Sequence, residues 1–178
     1  MTKVRRVVTG QNADGKSVFV SDEQVDPTTL ALLPGYEFHR LWAADAVPAL
    51  PTSGDEASAP AYFPPTGGFR FGFFSVPPAG VDIPPDLDIN AALAEMDEKM
   101  PGMAAPMEPD NPGMHTTDTI DFEVVLSGEV ICELDDGAEV TLKKGDTFVQ
   151  NGTRHRWRNP GSETVVLFVA LLGAERRK

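Results

Sequence analysis

Apolar and polar residues alternate in short runs along much of this 178-residue chain, and most of those runs have the period of two expected of strands. Val4 to Thr9 and Ser17 to Ser21 are strand-like pieces joined by Asn12-Ala13-Asp14-Gly15. An Asp-Gly step between such pieces predicts a hairpin. Tyr36 to Trp42 predicts another strand. Phe69, Phe71 and Phe73 alternate with Arg70 and Gly72, the pattern of a half-buried strand, and the three rings are expected in the core.

Residues 114–173 are the most regular stretch. Asp121 to Leu126 is strand-like and turns at Ser127-Gly128. Glu129, Ile131 and Glu133 then alternate with Val130, Cys132 and Leu134. Asp135-Asp136-Gly137 and Lys143-Lys144-Gly145-Asp146 are tight turns around Val140 to Leu142. Strands follow at Thr147 to Gln150, His155 to Arg158 and Thr164 to Leu172. Many short strands with close turns and no helix between them predict an antiparallel sandwich or barrel.

Two segments break this regularity. Residues 43–68 are rich in Pro, Ala, Gly and Ser and predict a long surface loop. Residues 77–113 are Pro- and Met-rich around one predicted helix, Asn90 to Met100, capped by Asp88 or Asn90 and ended by Pro101-Gly102. A segment of that kind is either a lid or a disordered insertion. Met96, Met100, Met103, Met107 and Met114 either cover a pocket or lie on the surface of a loose loop, and the surface is the simpler expectation.

Composition narrows the function. Hydrophobic residues make up 41% and charged residues 24%, as in an ordinary globular domain, so 1–178 is read as one domain. The formal net charge of −12 repels phosphate backbones and argues against nucleic-acid binding. Cys132 is the only cysteine, so no intrachain disulfide can form. It shares a face with Val130 and Leu134 and reads as a small buried hydrophobe. The first ten residues lack the apolar stretch of a signal peptide. The longest apolar run, Val165 to Leu172, is too short to cross a bilayer, so no membrane span and a cytoplasmic location are expected.

The stretch from Gly113 to Asn159 resembles the two linked motifs of the cupin superfamily. Gly113-Met114-His115-Thr116-Thr117, then Asp121, then Gly128 after six residues follow the first motif. Gly145-Asp146, then Asn151-Gly152-Thr153, His155 and, three residues on, Asn159 follow the second. The resemblance implies an all-β fold, a double-stranded β-helix or jelly-roll barrel that holds a ligand at its mouth. Residues 1–42 would add N-terminal strands, and the 77–113 insertion would add one short helix. It also implies a homodimer, with the strands at 4–21 as candidates for the contact.

In metal-binding cupins two His and one Glu of the first motif and one His of the second hold a divalent ion. His115 and His155 match two of these His, and Asp121 falls at the Glu position. Thr117 stands where the other His is usual and is a weak ligand. The resemblance therefore implies a candidate site of His115, Asp121 and His155, open to iron, manganese, nickel or zinc. One reading is a metal-dependent enzyme, of dioxygenase, isomerase or lyase type, acting on a small oxygenated organic molecule. Another is a metal-free cupin that binds or senses a small molecule. A third is a metal-free isomerase or dehydratase with His115 or His155 as base. The third histidine, His39, lies in a predicted strand without a ligand-like neighbour. Arg154, Arg156 and Arg158 alternate with His155 and Trp157 and are expected on the outer face.

Overall fold

The computed structural model describes residues 3–177. Its first two strands, β1 (Val4–Gln11) and β2 (Ser17–Val25), form the expected hairpin as a separate two-stranded sheet. Asn12 Oδ1 ties the turn by accepting from the backbone of Asp14 and Lys16. Gly15 takes a φ of 74°, which costs a residue without a Cβ nothing.

The remaining strands are β3 (Thr28–Leu30), β4 (Leu33–Ala44), β5 (Phe69–Val76), β6 (Thr119–Ser127), β7 (Glu129–Glu133), β8 (Glu139–Lys143), β9 (Thr147–Asn151), β10 (Arg156–Arg158) and β11 (Val165–Gly173). They make a six-stranded sheet ordered β3-β4-β5-β11-β6-β9 and a three-stranded sheet ordered β10-β7-β8. All the named pairings are antiparallel. This is the jelly-roll architecture the motifs imply. Val76, Val125, Val165 and Leu167 of the large sheet pack on Val130 and Leu142 of the small one. Gly128 connects β6 to β7 at a φ of 74°, and a Cβ there would sit 2.8 Å from Val165 Cγ2.

The helix α1 spans Ile89–Lys99, and Asp88 caps it by accepting from the Ala91 N–H at 3.1 Å. Met96, Met100 and Met103 are buried with Leu30 and Phe38 in a second core cluster. The surface expectation for these methionines is therefore corrected. Thioethers fill the irregular gap that a helix leaves against strand ends. No helix among the described residues is long and apolar enough to cross a membrane.

The three phenylalanines of β5 are also corrected. Arg70 is buried on the barrel side while Phe71 is 37% exposed. Arg70 is inward because its guanidinium finds the carbonyls of Ala44, Ala61 and Phe69 and the carboxylate of Asp45. The rings are thus left on the outer face, where Phe71 and Phe73 contact Phe168 of β11 at 5.5 and 6.3 Å between centroids. Val166, Phe168, Ala170 and Leu172 of β11, Phe122 and Val124 of β6 and Val149 of β9 continue that face. It carries apolar side chains across four strands, and Phe122, Val149 and Leu172 are exposed.

Candidate active site

Alternation along β6 builds one wall of the site. Thr119, Asp121, Glu123 and Val125 point inward, and the two acidic residues are each 4% exposed. The facing wall comes from a short antiparallel bridge. His115 N–H donates to His155 O, and His155 N–H donates to His115 O, both at 3.0 Å. This pairing sets the two imidazoles 4.2 Å apart between ring centroids.

His115, His155, Asp121, Glu123 and Thr117 line one cavity of about 120 Å³. Its other walls are mostly aromatic and thioether: Tyr36, Phe38, Tyr62, Phe63, Phe74 and Trp157, with Met103 and Met107 from the Met-rich insertion. That part of the insertion contributes to the wall of the site. All three candidate residues from the motifs are brought together. His39 is buried in β4 and does not line this cavity.

Each imidazole is held by the carbonyl two residues before it. His115 Nδ1 lies 2.9 Å from Gly113 O, and His155 Nδ1 lies 3.0 Å from Thr153 O. A carbonyl only accepts, so Nδ1 carries the proton and Nε2 is the basic atom of each neutral ring. Burial lowers the His155 pKa to about 4, and the neighbouring His115 adds to this. Burial lowers the His115 pKa as well. The carboxyls shift the other way. Burial raises Asp121 to about 6, partly offset by a hydrogen bond from Thr119. Burial, reinforced by Asp121, pushes Glu123 well above the usual carboxylate range. Two poor cations and two reluctant anions therefore share one cavity.

Glu123 was not singled out by the motifs, although its place two residues after Asp121 on a strand puts both carboxyls on one face. Tyr62 and Phe63 come from the long 43–68 loop, where no periodic pattern marks them. Thr117 hydrogen-bonds Thr119 through their hydroxyls at 2.8 Å. Arg154 binds Glu108 and Asp135, while Arg156 and Arg158 both bind Glu133. The arginine row is thus an outer ion-pair network. Cys132 is buried, and its thiol is pushed up to about 12 by burial and by Glu123 and Glu133.

The donor types suit a divalent ion, but among the described residues no three His, Cys, Asp or Glu side chains form a group able to hold one. Thr117 leaves one position of the family's set without an imidazole. As arranged, these residues do not fit a resident metal.

The family described as "Cupin domain" matches residues 105–171, which include His115, Thr117, Asp121, Glu123 and His155. Residues 105–171 are thus the part of the chain that carries the cupin likeness. It is 44% identical over 62 residues to the Oryzines biosynthesis cluster protein J of Aspergillus oryzae, covering 34% of this chain and 35% of that one. It is 24% identical over 154 residues to the Cupin-domain-containing oxidoreductase virC of Hypocrea virens, covering 86% of this chain and 66% of that one. The match to the first relative spans about a third of its length. Among solved structures, the Schizosaccharomyces pombe Cnp3 cupin domain aligns with a TM-score of 0.48 at 13% identity, covering 97% of this chain and 88% of that one.

Proposed function

We propose that the protein is a cupin enzyme that binds a small organic molecule in the barrel and moves a proton on it without a metal. One observation carries this reading: two neutral imidazoles and two carboxyls with raised pKa values share a cavity whose remaining walls are mostly apolar. His115 or His155 takes a proton at Nε2, and Glu123, kept protonated by its surroundings, is the matching acid. The aromatic walls exclude water and orient the substrate frame. Isomerisation and elimination of water both need only this pair of roles.

A divalent ion on His115, Asp121 and His155 is the second reading, and it requires these side chains to close around the ion from the arrangement seen here. The unpartnered, buried Asp121 Oδ1 favours it, and Thr117 weighs against it. The experiment that separates the two follows solvent deuterium entering a panel of small carbonyl and hydroxyl compounds, by NMR, before and after chelation. Exchange that survives EDTA and vanishes in His155→Gln supports the metal-free reading. Exchange lost on chelation and restored by iron, manganese, nickel or zinc supports the other.

The apolar outer face of β5, β11, β6 and β9 supports a homodimer. A face without charge at these positions is unusual on a chain of net charge −12, and a second copy presents the same uncharged surface in an isologous contact.

A further inference from the structure

Resting on the cavity reading above, we propose that the ligand is an organic cation: a protonated amine on a ring-sized apolar frame, its N–H groups held by the Asp121 carboxylate and by the carbonyl oxygen of the protonated Glu123. Both carboxyls are more than nine-tenths buried and line the cavity, yet Asp121 Oδ1 and Glu123 Oε2 receive no hydrogen bond. A buried acceptor without a donor is costly, and a ligand that brings donors removes that cost.

The protein supplies no positive charge to them, although Tyr36 and Tyr62, which carry hydroxyls, line the same cavity and the Gln150 Nε2 beside Asp121 on β9 is buried without a partner. Neither Lys nor Arg lines the cavity. Arg154, Arg156 and Arg158, although adjacent to His155 in sequence, are committed to Glu108, Asp135 and Glu133 outside it. Each imidazole spends its Nδ1 proton on a backbone carbonyl. The cavity thus offers acceptors and no cation. A carboxylate ligand would meet two carboxyl groups and no counter-charge. A neutral alcohol offers one donor, whereas an ammonium offers three and a positive charge.

Size and walls agree with this class. A cavity of about 120 Å³ approaches the roughly 150 Å³ that takes up a benzene ring. Trp157 and Tyr62 line the cavity, and an aromatic ring face is where a cation is stabilised. Held by its nitrogen at β6, such a molecule would turn its adjoining carbon toward the histidine bridge.

The test compares three probes of one shape on the full chain: benzylamine, benzyl alcohol and benzoate. Binding is followed by the Trp157 indole in a Trp42→Phe protein and by calorimetry on the unaltered chain. Benzylamine should bind at least about tenfold more tightly than benzyl alcohol, and benzoate most weakly. Asp121→Asn should bring benzylamine down to the level of benzyl alcohol while benzyl alcohol is unaffected, and Glu123→Gln, which keeps an acceptor carbonyl, should weaken benzylamine less. If either variant fails to fold, the ranking on the unaltered chain still decides. Benzoate binding as well as benzylamine overturns the proposal but leaves the small-molecule cavity standing. No response to any of the three overturns both. Manganese or zinc displacing benzylamine at equal concentration assigns the carboxyls to a metal and also overturns the proposal.

Discussion

His115 and His155 exchange both of their backbone hydrogen bonds, so two histidines 40 positions apart in sequence are locked as direct cross-strand neighbours with their rings 4.2 Å apart. Such a hydrogen-bonded antiparallel pair fixes both Cα positions, and the carbonyls of Gly113 and Thr153 fix the ring tautomers. Both basic nitrogens are therefore placed by backbone groups of the bridge and of the turns that lead into it.

The bridge makes one side chain removable without loss of the fold. His155→Gln keeps the backbone pair and deletes the base. Turnover should fall by about 10²–10⁴-fold, the range for a lost general base. The melting temperature should change little. NMR exchange rates and thermal melts of the same sample check both halves.

Asp121 should make stability depend on pH. Its folded pKa, about 6, lies above the unfolded value near 3.9, so the folded state binds the proton more tightly. The resulting penalty is absent below the unfolded pKa and complete once pH has risen past about 6. Asp121→Asn removes it and should stabilise the protein at pH 8 by about 1–3 kcal/mol, with the gain gone near pH 4. Urea unfolding of both proteins at the two pH values measures this.

Glu133 is the hub of the arginine row. Its largely buried side chain receives Arg156 at 2.7 Å and Arg158 at 3.0 Å. Glu133→Ala leaves two guanidinium groups beside each other at the edge of the small sheet. We expect a modest loss of stability, because both arginines are partly solvated and Arg158 keeps Glu139 as a partner. High salt should narrow the difference between the two proteins in denaturant melts.

Phe122 tests the outer face. It is 46% exposed at the centre of the apolar patch, between Val149 and Ala170. Phe122→Asp should shift a dimer to monomer in sedimentation velocity with little change in unfolding midpoint at low concentration. A wild-type protein that sediments as a monomer at micromolar concentration would remove the dimer.

Much of this fold is legible along the chain because strand alternation, turn glycines and the α1 cap act over a few residues. The hairpin at Asn12–Gly15, the helix after Asp88 and the inward set of β6 are all local consequences of residue order. The spacing of His115, Asp121 and His155 was enough to bring them to one cavity once the motif resemblance was granted. What residue order left open was which way a strand faces when both of its faces are apolar or oddly mixed. Arg70 turned inward and Phe71 outward because carbonyls from Ala44 and Ala61, distant in sequence, satisfy the guanidinium. The methionines around α1 were buried because the helix and β3 meet there. Glu123 became a cavity group only when the opposite wall closed over it. In each case the deciding energy is the desolvation of a polar group or the filling of a gap between elements. That energy depends on neighbours that only the folded chain assembles.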